Sequence, residues 1–271
     1  MMEEFLKDQE SLFKNMDIQL YLEDNKTLLQ QNKIKGFFEF VYNDPSLSTK
    51  EQADVFTFVN DILQYFNQPN SYNFKYLPKG TKFSGTVHIG EGTTTIKEAQ
   101  FEECEFVKSI VIPDSVTEIG EDAFYYCKSL QSITLPNSLK KIGGGAFIGC
   151  TSLKSLTIPD SVTEIEKGAF DGCTSLQSIT IPDSVTEIGD RAFYDCSSLQ
   201  SITIPDSATE IGWNAFNSCT SLQSINLPKN LKYLGKNVFT NCESLKEIII
   251  PKSLDLAVYD GRISKRLSKV V

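Results

Sequence analysis

Seven cysteines and one histidine are the residues of this 271-residue chain with the most chemistry to offer. Seven thiols are compatible with disulfides, a metal site or a reactive nucleophile. The single histidine, His88, excludes any site built from two or more histidines, including the usual catalytic zinc sets. The spacing of the cysteines decides among these readings. Cys104, Cys127, Cys150, Cys173, Cys196, Cys219 and Cys242 follow one another at a constant step of 23 residues. Equivalent residues in stacked repeats lie about 4.8 Å apart with parallel side-chain directions. That separation exceeds the roughly 3.5–4.5 Å between the Cβ atoms of a disulfide. Tetrahedral zinc wants thiolates converging from different directions, which a ladder does not supply. A free thiol otherwise behaves as a small buried apolar group. A reduced core ladder is therefore expected, with metal or redox use as the remaining alternative and no cofactor.

The elements that position the thiols share the step. Pro113, Pro136, Pro159, Pro182, Pro205, Pro228 and Pro251 recur at it, and so do Phe101, Phe124, Phe147, Phe170, Phe193, Phe216 and Phe239. A fixed period of this length identifies a solenoid, in which each coil buries its apolar face on its neighbours. In one coil, Ile133 and Leu135 alternate with polar residues as a half-buried strand does. Pro136 ends the strand because it cannot donate to a ladder. Leu139, Ile142, Ala146, Phe147 and Cys150 point inward, and Gly143 is expected to hold a backbone shape that a Cβ resists. Val87-His88-Ile89 is a degraded earlier copy with Gly90 in place of Pro, so about eight strands run from Val87 to Ile250.

The unit Leu176-Gln-Ser-Ile-Thr-Ile-Pro-Asp-Ser-Val-Thr-Glu-Ile-Gly-Asp-Arg-Ala-Phe-Tyr-Asp-Cys196 resembles the BspA-like class of leucine-rich repeat. The resemblance implies a curved leucine-rich-repeat solenoid with a parallel β-sheet on its concave face, and it implies protein–protein binding. Residues 81–252 would form this solenoid of about eight coils. The fold class is then α+β overall, because residues 1–80 read as a helical N-terminal cap or interaction region. In that region Ser48-Thr49-Lys50-Glu51 is a capping box opening a helix to about Phe66, with weaker helices near 3–16 and 27–42. Residues 253–271 form a basic C-terminal cap or tail.

Three surfaces are candidates for binding. The outward strand positions carry Ser132, Ser155, Ser178 and Ser201 beside Thr134, Thr157, Thr180 and Thr203, flanked by Gln177 and Gln200. This ladder is polar, nearly uncharged and repetitive, which suits an extended partner better than a small ligand. Large aromatics sit at otherwise variable positions: Trp213, Tyr194, Tyr125 and Tyr126. Exposed aromatics are favoured contact residues, and single ones are also common and inert. The turn after each proline carries acid, at Asp114, Asp160, Asp183 and Asp206 with Glu118, Glu164, Glu187 and Glu210. The Asp side chains are expected to cap that turn. Calcium is an alternative, although the glycine-rich aspartate pattern of calcium-binding β-helices is missing.

Charge narrows the partners. The formal net charge is −9, which argues against nucleic acid because its binding rests on clustered Lys and Arg. Residues 81–227 hold 9 positive and 19 negative side chains, and residues 228–271 hold 9 and 4. Homo-association of the acidic body with the basic C-terminus is therefore one candidate contact. The acidic N-terminus lacks signal-peptide character, and no stretch approaches a membrane span, so a cytoplasmic location is expected, with the cell surface by unconventional export as the alternative. The Gly143-Gly144-Gly145 run has no following Lys-Ser/Thr to hold phosphate. Duplicated coils also give every polar residue many equals, whereas catalysis needs a unique arrangement. The expected function is non-enzymatic binding of another protein by an intracellular scaffold, effector or regulator. A cell-surface adhesin contacting host matrix proteins and an enzyme inhibitor or regulatory subunit are the alternatives.

Overall fold

The computed structural model describes residues 71–74, 86–89, 92–251 and 268–270. Two strand sets, numbered together in chain order, alternate through the coils. The first comprises β1 (Ser71–Phe74), β2 (Thr86–Ile89), β4 (Ser109–Val111), β6 (Ser132–Thr134), β8 (Ser155–Thr157), β10 (Ser178–Thr180), β12 (Ser201–Thr203), β14 (Ser224–Asn226), β16 (Glu247–Ile250) and β17 (Ser268–Val270). The second set is shorter: β3 (Thr95–Ile96), β5 (Glu118–Ile119), β7 (Lys141–Ile142), β9 (Glu164–Ile165), β11 (Glu187–Ile188), β13 (Glu210–Ile211) and β15 (Tyr233–Leu234). Every pairing in both sets is parallel, and between β2 and β16 the paired residues are 23 apart. Eight of the first set run from β2 to β16, as the repeat count requires. No helix occurs among the described residues. The helices expected near 3–16, 27–42 and 48–66 lie outside them, whereas Ser71–Phe74, within the stretch read as helical, adds a strand beside β2. Within the basic C-terminal stretch, β17 adds one beside β16.

The coil follows from its side chains. The middle residue of each three-residue strand is buried and its neighbours face out. The proline after the strand closes a turn, its carbonyl accepting the amide of the residue three on, as Pro113 does from Val116 and Pro182 from Val185. The serine in that turn, rather than the aspartate before it, ties the corner down. The Ser138 hydroxyl donates to the Val116 carbonyl (2.7 Å), and Ser184 and Ser207 donate in the same way to Val162 (2.6 Å) and Val185 (2.7 Å). Where Asp206 bonds at all, it reaches the next coil, accepting from the Lys229 amide and ammonium.

The return arc holds the core. Phe101, Phe124, Phe147, Phe170, Phe193 and Phe216 are fully buried. Neighbouring rings among them stack face to face, with centroids 5.2–5.6 Å apart. Alternate amides of the arc donate to the next coil, for example Phe124 N–H to Ala146 O and Phe147 N–H to Ala169 O, so a non-strand segment still satisfies its buried polar backbone. This geometry places two residues per coil at positive φ, at steps of 23: Gly145 and Gly149, Gly168 and Gly172, then Arg191 and Asp195, Asn214 and Ser218.

The glycine that follows five of the seven short strands has a different cause from the one expected. Gly143 and Gly189 have no positive φ. A Cβ on Gly189 would instead lie 2.7 Å from the Lys167 amide nitrogen and 2.8 Å from the Glu166 carbonyl carbon. Crowding by the preceding coil excludes the side chain.

Candidate functional site

The cysteines are buried thiols that form no disulfide. Their neighbours explain the residue type. Cys127 Sγ donates to Phe101 O (3.1 Å), Cys173 to Phe147 O (3.2 Å) and Cys219 to Phe193 O (3.2 Å). The same Phe101 carbonyl accepts the Cys104 amide of its own coil, so both of its lone pairs are used. A small apolar side chain with one weak donor fits this position. Burial pushes the Cys127 thiol up to about 12 and that of Cys242 to about 11, which removes the thiolate that nucleophilic or metal chemistry needs. Among the described residues no group of three or more His, Cys, Asp or Glu side chains is placed to hold a metal.

The outer face of the long strands is as polar as the pattern implies. Thr134, Thr157, Thr180, Thr203, Gln177 and Gln200 are all exposed. Serines on neighbouring strands meet, with Ser132 Oγ 3.1 Å from Ser109 Oγ. The paired segments are β1-β2-β4-β6, β8-β10 and β12-β14-β16-β17.

The aromatics separate into three settings. Trp213 is 48% exposed, and its indole N–H donates to the hydroxyl of Tyr233, itself 41% exposed. The Lys236 ammonium lies 5.7 Å from the Trp213 ring centre. Tyr194, expected on the surface, is half-buried: the Arg191 guanidinium lies 3.8 Å from its ring centre and pairs with Asp171 at 2.8 Å. Tyr125 is likewise half-buried against Tyr126, their rings 4.5 Å apart, while Tyr126 is exposed beside Lys128. Trp213 therefore partners Tyr233, a residue absent from the sequence-based candidates. The signal for it is Tyr233 standing in the column Glu118, Lys141, Glu164, Glu187, Glu210.

That column lies on the outer face of the short strands. Glu164, Glu187, Glu210 and Tyr233 are in register on β9, β11, β13 and β15. Beside them is a trough of about 330 Å³ floored by Gly189 and Gly212 and flanked by Glu166, Lys167 and Asp190. Burial, then the charges of Glu164, Glu210 and Asp190, hold the Glu187 carboxyl above its ordinary range. At the other end of the face Lys141 sits between Glu118 (3.8 Å) and Glu166 (3.4 Å).

With this geometry in hand, comparison with known proteins is informative. Residues 70–169 and 140–258 match the BspA type Leucine rich repeat region, in six copies. A leucine-rich repeat protein from Bacteroides ovatus is 29% identical with a TM-score of 0.61, over 74% of this chain and 57% of that one. The T. pallidum leucine rich repeat protein is 29% identical with a TM-score of 0.58, over 68% of this chain and 86% of that one. This chain thus spans little more than half the length of the Bacteroides protein. No curated protein matches it. Among the described residues no helix is long and apolar enough to cross a membrane.

Proposed function

Because the chain belongs to the BspA-type leucine-rich repeat family, we propose that it is a non-enzymatic protein that binds another protein along the outer face of its long strands. The observation that carries this reading is the character of that face between β6 and β14. Its outward strand positions are exposed Ser, Thr and Asn without a charged residue, flanked by Gln131, Gln177, Gln200 and Gln223 and by one cation, Lys154. Removing such a face from water costs less than removing charges. The stacked core beneath it is already fixed, so little ordering accompanies binding. The repetition suits an extended partner that makes the same contact at successive rungs.

The test is affinity capture with the wild-type chain and with Thr157→Arg/Thr180→Arg, which places two long cations on neighbouring strands. Both substitutions fall on exposed positions and should leave the fold intact, with a slightly lower melting temperature because the two cations lie directly opposite one another on β8 and β10. The proposal expects proteins captured by the wild type to be lost from the variant. Equal capture by a variant that folds normally would remove the long-strand face from consideration.

A further inference from the structure

The outer face of the short strands has the opposite character. Three carboxylates, on Glu164, Glu187 and Glu210, stand on adjacent rungs in parallel register. Like charges directly opposite one another on a sheet are destabilising. Among the described residues none of the three has an ion-pair partner, whereas the early end of the same face places Lys141 between two glutamates. Of the other charges at the trough, Glu166 is taken by Lys141 and the Gly144 amide (2.8 Å), and Asp190 by the Trp213 amide (2.6 Å). Lys167 is the one cation lining it.

The trough is fixed by packing. Its floor is glycine because a Cβ on Gly189 or Gly212 would strike the backbone of the preceding coil at 2.7 Å or less. Tyr233 lines its far end and is held in place by the indole N–H of Trp213 beside it, both rings remaining exposed. Fixed, exposed aromatics contribute contact area at small entropic cost; the Trp213 ring already has the Lys236 ammonium 5.7 Å from its centre, so Tyr233 is the ring left for a partner's cation.

We propose that this face, from Glu164 to the Trp213–Tyr233 pair, is a second docking surface that takes an extended, lysine- or arginine-rich segment of a partner protein. Charge complementarity selects the occupant. Spacing supports it: the three carboxylates span two rungs, about 10 Å, and an extended peptide laid along the solenoid axis repeats its same-side residues every ~6.6 Å. Cations at alternate positions then bracket Glu187, and one more reaches Tyr233. The surface is separate from the long-strand face and does not depend on it.

The chain contains a single tryptophan, so the emission of Trp213 reports from the site itself. The full chain is titrated at low ionic strength with acetyl-(Lys-Ser)4-amide, in parallel with acetyl-(Glu-Ser)4-amide and with calcium chloride. The lysine peptide should give a saturable change in Trp213 emission, matched by calorimetry, that weakens at least tenfold in Glu187→Gln/Glu210→Gln and weakens as salt is raised. The glutamate peptide should give none, and Thr157→Arg/Thr180→Arg should bind the lysine peptide as the wild type does. Absence of peptide binding by both emission and calorimetry overturns the proposal. So does undiminished binding to the Gln variant, or a response to calcium alone.

Discussion

Two neighbouring coil junctions differ in the residue that follows the short strand and in whether their backbones are paired. Between β9 and β11 the ladder is closed: Thr186 N–H bonds Thr163 O at 2.9 Å, Gly189 N–H bonds Ile165 O at 2.8 Å, and β8 pairs with β10 alongside. Between β7 and β9 neither the short nor the long strands are paired, since the sheets end at β7 and at β6 and restart at β9 and β8. The position that is Gly189 at the first junction is Glu166 at the second. A Cβ there demands the space that the closed ladder denies, as the clash built on Gly189 shows. The Glu166 carboxylate partly substitutes for the lost ladder by accepting the Gly144 amide and pairing with Lys141. The arc is indifferent to the exchange. Phe147 and Phe170 stack across the open junction at 5.4 Å and 5°, much as Phe170 and Phe193 do across the closed one at 5.4 Å and 8°. The long strands also part between β10 and β12, where the short-strand ladder β11–β13 is closed, so Glu166 accounts for the open short-strand ladder alone, and the Phe stack holds across it.

The largest effect should come from attacking the place that holds. Phe170→Ala is expected to cost about 4 kcal/mol, the usual scale for a buried aromatic. At the open junction it removes the main remaining contact, so unfolding in urea should split into two transitions, because a repeat array is cooperative only through its interfaces. Phe193→Ala, flanked by junctions whose short-strand ladders are both closed, should cost about as much and keep a single transition. Identical unfolding profiles for the two variants would show that the open junction carries no special weakness.

Next in size, Gly189→Ala should open the closed junction. Its Cβ would meet backbone atoms rather than a side chain that can turn away, so the cost is on the order of 3 kcal/mol. Loss of amide-exchange protection at Thr186 and Gly189, with the Phe ladder still protected, is the signature to look for. The reverse exchange, Glu166→Gly, should close the open junction. Two or three backbone bonds return at ~1 kcal/mol each, against ~1 kcal/mol for glycine's added freedom, ~1 kcal/mol for the lost Gly144 amide bond and a small loss from the Lys141 pair. A net gain of at most about 1 kcal/mol is expected. A drop in melting temperature would mean that the carboxylate contributes more than the ladder it displaced.

This difference marks the limit of what the sequence discloses. A period of 23 fixes which residues are core, because Ile, Leu, Ala, Phe and Cys recur in register and each can only be buried on its copies. It does not disclose why a position is glycine. Gly143 reads as a conformational requirement and is a matter of crowding, since the colliding atoms belong to a residue 22 or 23 positions away. Single-coil reading fails at the surface for the same reason. Tyr194 looks exposed until Arg191, paired with Asp171 of the preceding coil, covers it, and Trp213 looks isolated until Tyr233 of the next coil meets it. Contacts between unlike positions of adjacent coils are invisible to an alignment that compares only like with like.

The smallest effect tests the charge side of the closed junction. Closing the ladder there brings Glu187 into register with Glu164 and Glu210, and burial together with those neighbours raises its carboxyl above its ordinary range. An acid whose pKa is higher folded than unfolded binds protons more readily in the native state. Its contribution to stability is therefore fully present below the unfolded value near 4.5 and is lost as pH rises through the higher folded one. Lowering the pH from 7 toward 5 should raise the melting temperature through this group. Asp122 and Asp171, also raised chiefly by burial, act in the same direction, so the informative quantity is the difference between wild type and Glu187→Gln. The variant should melt slightly higher than the wild type at pH 7, and the difference should shrink as the pH falls and vanish below about 4.5. A constant offset across that range would mean that Glu187 affects the junction through its shape and not its charge, and that tight approach of coils imposes no electrostatic cost on this face.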